Sequence, residues 1–243
     1  MNRIIGQSLP DTIREIKRKQ DEFSITPIGI NGGWYDYAEP MQYVSATQLS
    51  VINTNVDLTT FWVQGDALRI LQADSASYKY FFVYSVSANS IKITAGTDYT
   101  FTNTSFTIVS KGIAENPVGF PGQFKFSGAL TGANTGVYSN PDSTNNELTF
   151  FSMVGREVTL KLSVTSGALT IADYIKLTPP VPMDTGYYRG LMMALNAAAS
   201  WYESTQLLGA FYIYGNNTTP PYNFTSGGSN TNFAGTIIYN AST

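Results

Sequence analysis

The sequence predicts an all-β protein: a short N-terminal helix followed by two β-sandwich or barrel domains of jelly-roll type. Three observations lead there. Apolar residues recur at every second position over several stretches, most cleanly in Val158-Thr159-Leu160-Lys161-Leu162-Ser163-Val164. Turn signals punctuate these stretches about every 8–12 residues, the rhythm of sandwiches and jelly rolls. The composition holds 16 Tyr and 14 Phe against only 13% charged residues, which suits packed sheets better than solvated helices.

Taken in order, the first element is the helix. Ser8 is a good N-cap, Asp11 follows three residues later, and Pro10 is tolerated in a first turn. Leu9, Ile13 and Ile16 form one apolar stripe, and the helix should fade by Gln20 to Glu22. Two turns with one stripe are not stable alone in water, so the stripe must dock on its own domain, on another copy, or on a partner. Residues 27–41, with Pro27, Gly29, Gly32, Gly33 and Pro40, read as an irregular connection, which makes 1–41 an anchor segment.

From Gln42 the period becomes two, and residues 42–114 read as a small β-domain. In Tyr80 to Val86 both alternating sets are largely apolar, so both faces of that strand should be covered. Ile91 and Ile93 alternate with Lys92 and Thr94, a half-exposed strand, and Gly65-Asp66 and Gly96-Thr97 mark turns. Residues 115–122 hold two Pro and two Gly and form the expected linker. The second domain, 123–243, opens at Gln123 to Ser127, with further strands at 148–151, 158–164, 210–214 and 236–239. Pro179, Pro180 and Pro182 belong at an edge or crossing. Residues 191–201 fit helix and strand equally by period; flanking β segments favour the strand.

The sequence has no His and no Cys. This excludes Ser-His-Asp and Cys-His catalysis, ordinary zinc sites and disulfide frameworks. It fits synthesis in a reducing cytoplasm. A formal net charge of −3 argues against a nucleic-acid partner. Residues 1–22 carry five basic side chains against four acidic ones, a pattern that reads as a solvated helix face. No apolar leader core and no membrane-spanning run is visible.

No residue is nominated as catalytic, cofactor-binding or metal-binding. The acids of the second domain, Asp142, Glu147, Glu157, Asp173, Asp184 and Glu203, are isolated and read as solvated carboxylates rather than a glycosidase pair. Ser110-Lys111 is adjacent and reads as linker, not as a dyad. No phosphate-binding glycine motif or Ca²⁺ loop occurs, so no cofactor is expected. Aromatics beside amides are the one candidate binding surface: Tyr212, Tyr214, Asn216, Asn217 and Tyr222 would suit a pyranose ring. The plainer reading is that such aromatics fill cores and subunit interfaces.

One resemblance adds to this. Residues 58–113 contain Phe61, then Gly65-Asp66-Ala67-Leu68-Arg69-Ile70, Tyr78-Lys79-Tyr80-Phe81-Phe82-Val83, and Thr97-Asp98-Tyr99-Thr100-Phe101. Asn116-Pro117-Val118-Gly119-Phe120-Pro121 follows, and Gly235-Thr236-Ile237-Ile238-Tyr239 lies near the C-terminal end. Together they resemble a module of virion proteins of tailed bacteriophages, over about three-quarters of the chain. The resemblance implies a non-enzymatic virion component of tail or fibre type, with a capsid decoration protein or head fibre as the alternative. It implies no catalytic residues. The expected partners are further copies of the chain, with a trimer as the expected symmetry, and other virion proteins held through Leu9, Ile13 and Ile16. A host surface glycan is the partner if the chain is instead a carbohydrate-binding receptor module.

Overall fold

The computed structural model describes residues 30–126, 130–133, 138–139, 150–169, 174–194, 200–202, 204–207, 210–214 and 231–242. The fold is all-β: among the described residues there are nineteen strands and one 3-10 turn, Leu58–Thr60, capped by the Asp57 side chain. The expected N-terminal helix, with Leu9, Ile13 and Ile16, lies outside the described residues.

The first sheet is antiparallel. Its strands are β1 (Ile30–Asn31), β2 (Trp34–Asp36), β3 (Met41–Ser45), β4 (Gln48–Val51), β5 (Ala67–Gln72), β6 (Lys79–Val86), β7 (Ser90–Thr94) and β8 (Phe106–Gly112). They lie side by side in the order β1-β2-β8-β5-β6-β7-β4-β3. Residues 30–36 were expected to be irregular and are not. Gly32 and Gly33 take positive φ, turn the chain tightly, and let Trp34 to Asp36 pair with Ser110 to Gly112. Among the described residues the sheet therefore begins at Ile30.

The double-sided apolar pattern of β6 has its expected meaning. Phe81, Phe82 and Val83 are consecutive and all buried. Neighbouring strand residues face opposite ways, so the strand is covered on both faces. On one side Phe81 packs edge-on against Phe101, with ring centroids 4.7 Å apart. On the other, Phe82 meets Phe120 and Phe124, each at 5.2 Å, and Phe151 at 6.2 Å.

The remainder is built from β9 (Phe124–Lys125), β10 (Leu130–Ala133), β11 (Tyr138–Ser139), β12 (Phe150–Val154), β13 (Glu157–Leu169), β14 (Tyr174–Leu177), β15 (Met183–Ala194), β16 (Ser200–Tyr202), β17 (Ser204–Leu207), β18 (Ala210–Tyr214) and β19 (Thr231–Ala241). A seven-stranded sheet runs β16-β15-β19-β13-β12-β9, with β11 also paired to β13. A four-stranded sheet runs β10-β14-β18-β17. The alternation predicted at 158–164 holds where burial is described: Val158, Leu160 and Leu162 are buried, Lys161 is exposed. Residues 191–194 and 200–202 are strand, as the flanking pattern suggested. Pro179, Pro180 and Pro182 sit in the crossing between β14 and β15. There Val181 is buried and its carbonyl accepts the Tyr239 hydroxyl at 3.0 Å.

The two β-units are not separated by free linker. Residues 115–122 lie along the first sheet: the Trp34 indole N–H donates to the Val118 carbonyl at 2.8 Å, and the Val118 N–H donates to the Gly32 carbonyl at 2.8 Å. Phe120 then enters the same aromatic group as Phe82 and Phe124. Buried side chains from both units form one continuous cluster. Backbone contacts reinforce it. The Thr97 N–H donates to the Lys125 carbonyl at 3.0 Å, the Lys125 N–H donates to Asp98 Oδ2 at 2.8 Å, and Gln64 Nε2 donates to the Ser242 carbonyl at 3.0 Å.

Candidate functional site

The described residues make a concave surface at the junction of the two units. The Gly65-Asp66 turn before β5, the end of β8 at Gly112, the 114–122 segment and the β12–β13 turn enclose a cleft of about 430 Å³. Its geometry follows from backbone. Gly65 has φ +94° and Gly155 has φ +57°, and a Cβ added to Gly65 would overlap the Gly155 backbone. Only glycine at position 65 lets these two turns touch, and their contact places the β12–β13 turn beside β5.

Two partly buried charge arrangements lie on β5 and β8, and Asp66 of the first lines the cleft. Lys111 on β8 donates to Asp66 Oδ2 at 2.7 Å and to the Phe61 carbonyl at 2.6 Å. Its ammonium stands 5.1 Å from the Phe61 ring and 5.8 Å from the Trp62 ring. Asp66 Oδ2 also accepts the Val63 N–H at 2.8 Å. Charge-assisted hydrogen bonds on both partners compensate the lost hydration, and the ring faces add cation–π attraction. Arg69 on β5, 7% exposed, is held between the rings of Trp34 and Tyr78 at 5.0 and 4.5 Å. Its Nε donates to Ser110 Oγ at 3.1 Å, Ser110 donates in turn to Asp36 Oδ1 at 2.6 Å, and Asp36 lies 3.6 Å from the guanidinium.

These arrangements occupy the groups that would otherwise do chemistry. Ser110 and Lys111, read from the sequence as linker, lie on β8. One hydroxyl is committed to Asp36 and the ammonium to Asp66, so they form no dyad. Hydrogen bonds from the Thr59 side chain and N–H hold the Asp57 carboxyl below its ordinary pKa. Those from Thr102, then Thr104, do the same for Asp74. Both stay ionised near neutral pH, the reverse of a carboxyl kept protonated to act as an acid. Asp184 pairs with Arg156 at 2.8 Å, and Glu157 is exposed. Asp142, Glu147, Asp173 and Glu203 lie outside the described residues. Among the described residues no three acids are grouped to hold a metal ion, and no helix is long and apolar enough to cross a membrane.

Of the expected glycan surface, Tyr212 and Tyr214 lie on β18, in register with Lys176 and Tyr174 of β14. Asn216, Asn217 and Tyr222 lie outside the described residues, as do Leu9, Ile13 and Ile16. The cleft itself was not foreseen. Its only sequence signal is the set of glycines at strand ends, Gly65, Gly112, Gly122 and Gly155. Compared with known proteins, the chain matches no family model, no curated protein and no solved structure.

Proposed function

We propose that this chain is a non-enzymatic structural component of a bacteriophage virion, a tail or fibre protein attached through its N-terminal segment. The observation that carries the reading is where the residues of the resemblance lie. Gly65 contacts Gly155, Phe82 and Phe120 share the aromatic group between the units, and the Asn116 to Pro121 stretch is pinned to Trp34. The stretch resembling phage virion modules is thus the stretch that locks two β-units together. A locked pair of β-units is suited to bearing load and to presenting surface, and needs no reactive group.

The same reading makes the chain an oligomer, with trimer the expected symmetry. Its low charge, 13% of residues, suits a surface that identical neighbours can cover, since charged residues are depleted from interface cores. Light scattering on the full chain at micromolar concentration should give a mass several times 26.5 kDa. A monomer at that concentration would count against assembly through copies of the chain.

A further inference from the structure

We propose that the cleft between the two β-units is a binding site for a short, neutral saccharide. Its volume, about 430 Å³, falls within the range of small-molecule clefts, and a junction between structural units is where such clefts occur. The lining selects the ligand class. No Lys or Arg lines it, and the nearest cation, Lys111, is spent on Asp66 and the Phe61 carbonyl. A phosphate or sulfate would therefore meet acceptors and no counter-charge. A metal ion would need six or more oxygens, and Asp66 is already held by Lys111. A wholly apolar ligand would strip water from Glu115, Asn116 and Ser152 and give them nothing in return.

A hydroxyl-rich ring meets these demands. Glu115 and Asn116, both exposed, offer a carboxylate and an amide, a pair able to bridge two adjacent hydroxyls. Ser152 adds a hydroxyl from the facing wall. Phe120 and Val154 supply apolar surface for the C–H face of a sugar ring. At Gly122 and Gly155 a Cβ would meet nothing within 4 Å, so the glycines leave open space along the cleft that a ligand can fill. This site lies apart from the Tyr212, Tyr214 and Tyr222 surface that the sequence suggested. It also does not depend on the virion assignment, which stands or falls on other measurements.

Saturation-transfer NMR on the full chain tests it, with maltose, cellobiose, lactose and N,N′-diacetylchitobiose as probes at millimolar concentration. Asparagine tolerates the left-handed backbone, so Gly155→Asn fills the cleft where φ is +57° without reshaping the turn. Asn116→Ala removes one exposed amide and serves if Gly155→Asn fails to fold. The expected result is transfer to at least one sugar, reduced about fivefold or more by either substitution, the loss of roughly one hydrogen bond. Tyr212→Ala with Tyr214→Ala should leave it unchanged. Absence of transfer to every probe overturns the proposal. So does transfer undiminished by the two cleft substitutions, or lost only with the tyrosines. Binding of a tetra-alanine peptide, blocked by Gly155→Asn where no sugar binds, would reassign the cleft to peptide and equally overturn it.

Discussion

Replacing Phe124 with alanine probes the coupling of the two β-units at one side chain. Phe124 is fully buried on the two-residue strand β9. Its ring lies 5.2 Å from Phe82, 5.7 Å from Phe120, 6.0 Å from Phe151 and 6.2 Å from Tyr99. It therefore contacts both the first sheet and the second. Phe→Ala in a core costs about 3–5 kcal/mol through lost transfer energy and the cavity left behind. The upper half applies here, because rings surround the site on several sides and a backbone held by Asp98 and Thr97 limits collapse. With a urea slope of about 2–3 kcal/mol/M the midpoint should fall by roughly 1.3–2.5 M. Two probes make the assay decisive. Trp34 and Trp62 are buried in the first unit and, once Trp201 on β16 is replaced by Phe in both proteins compared, report that unit by fluorescence, while far-UV circular dichroism reports all strands. Both signals should shift together. A loss under about 1 kcal/mol would refute the packing argument. A fluorescence transition that stays in place while the dichroism transition moves would show that the units unfold independently.

Alkaline pH should destabilise the fold. Burial raises the Tyr239 pKa far above its ordinary value near 10, only partly opposed by its hydrogen bond to Val181. Burial likewise raises Tyr84, and burial with a neighbouring carboxylate raises Tyr99 and Tyr37. The folded state favours the neutral phenols, so this stability is full below about pH 10 and is lost as pH rises through the folded values. The thermal midpoint should hold up to about pH 10 and drop above it, less steeply in Tyr239→Phe, and a flat profile above about pH 10 would refute the assignment. Ile13→Asp with Ile16→Asp places charge on the only apolar stripe of the N-terminal segment, costing several kcal/mol if both sites are covered. Particles should lose the protein while the circular dichroism of the isolated chain keeps its β signature; normal occupancy would place the attachment surface elsewhere.

What the sequence revealed, and what it hid, divides along contact range. β6 and the first half of β13 were legible because burial there follows from neighbours in sequence: Phe81, Phe82 and Val83 without a polar gap, Val158, Leu160 and Leu162 at period two. The positive-φ turns at Gly65 and Gly96 were legible for the same reason. β1 and β2 were not, because five residues around a Gly-Gly turn carry too little pattern. β2 is held by pairing to β8, over seventy residues away, and β1 by pairing to β2. The Arg69 arrangement joins residues 41 and 74 apart in sequence, and the Trp34 bond to Val118 spans 84. No local period signals such pairings. From sequence alone Ser110-Lys111 reads as linker. The strand runs on to Gly112 because β2 and β5 flank it on both sides. The cleft is assembled from four turns and so has no motif at all.

The most direct test of the structural reading is a protein inventory of purified phage particles. On the proposed reading the chain is encoded by a phage; virions of that phage, banded by density and washed free of lysate, are digested and quantified by mass spectrometry against the major capsid protein. The account predicts the chain in the particle at a fixed copy number that is a multiple of its oligomeric state, unchanged by further purification. A chain abundant in the infected-cell lysate but absent from purified particles would contradict it.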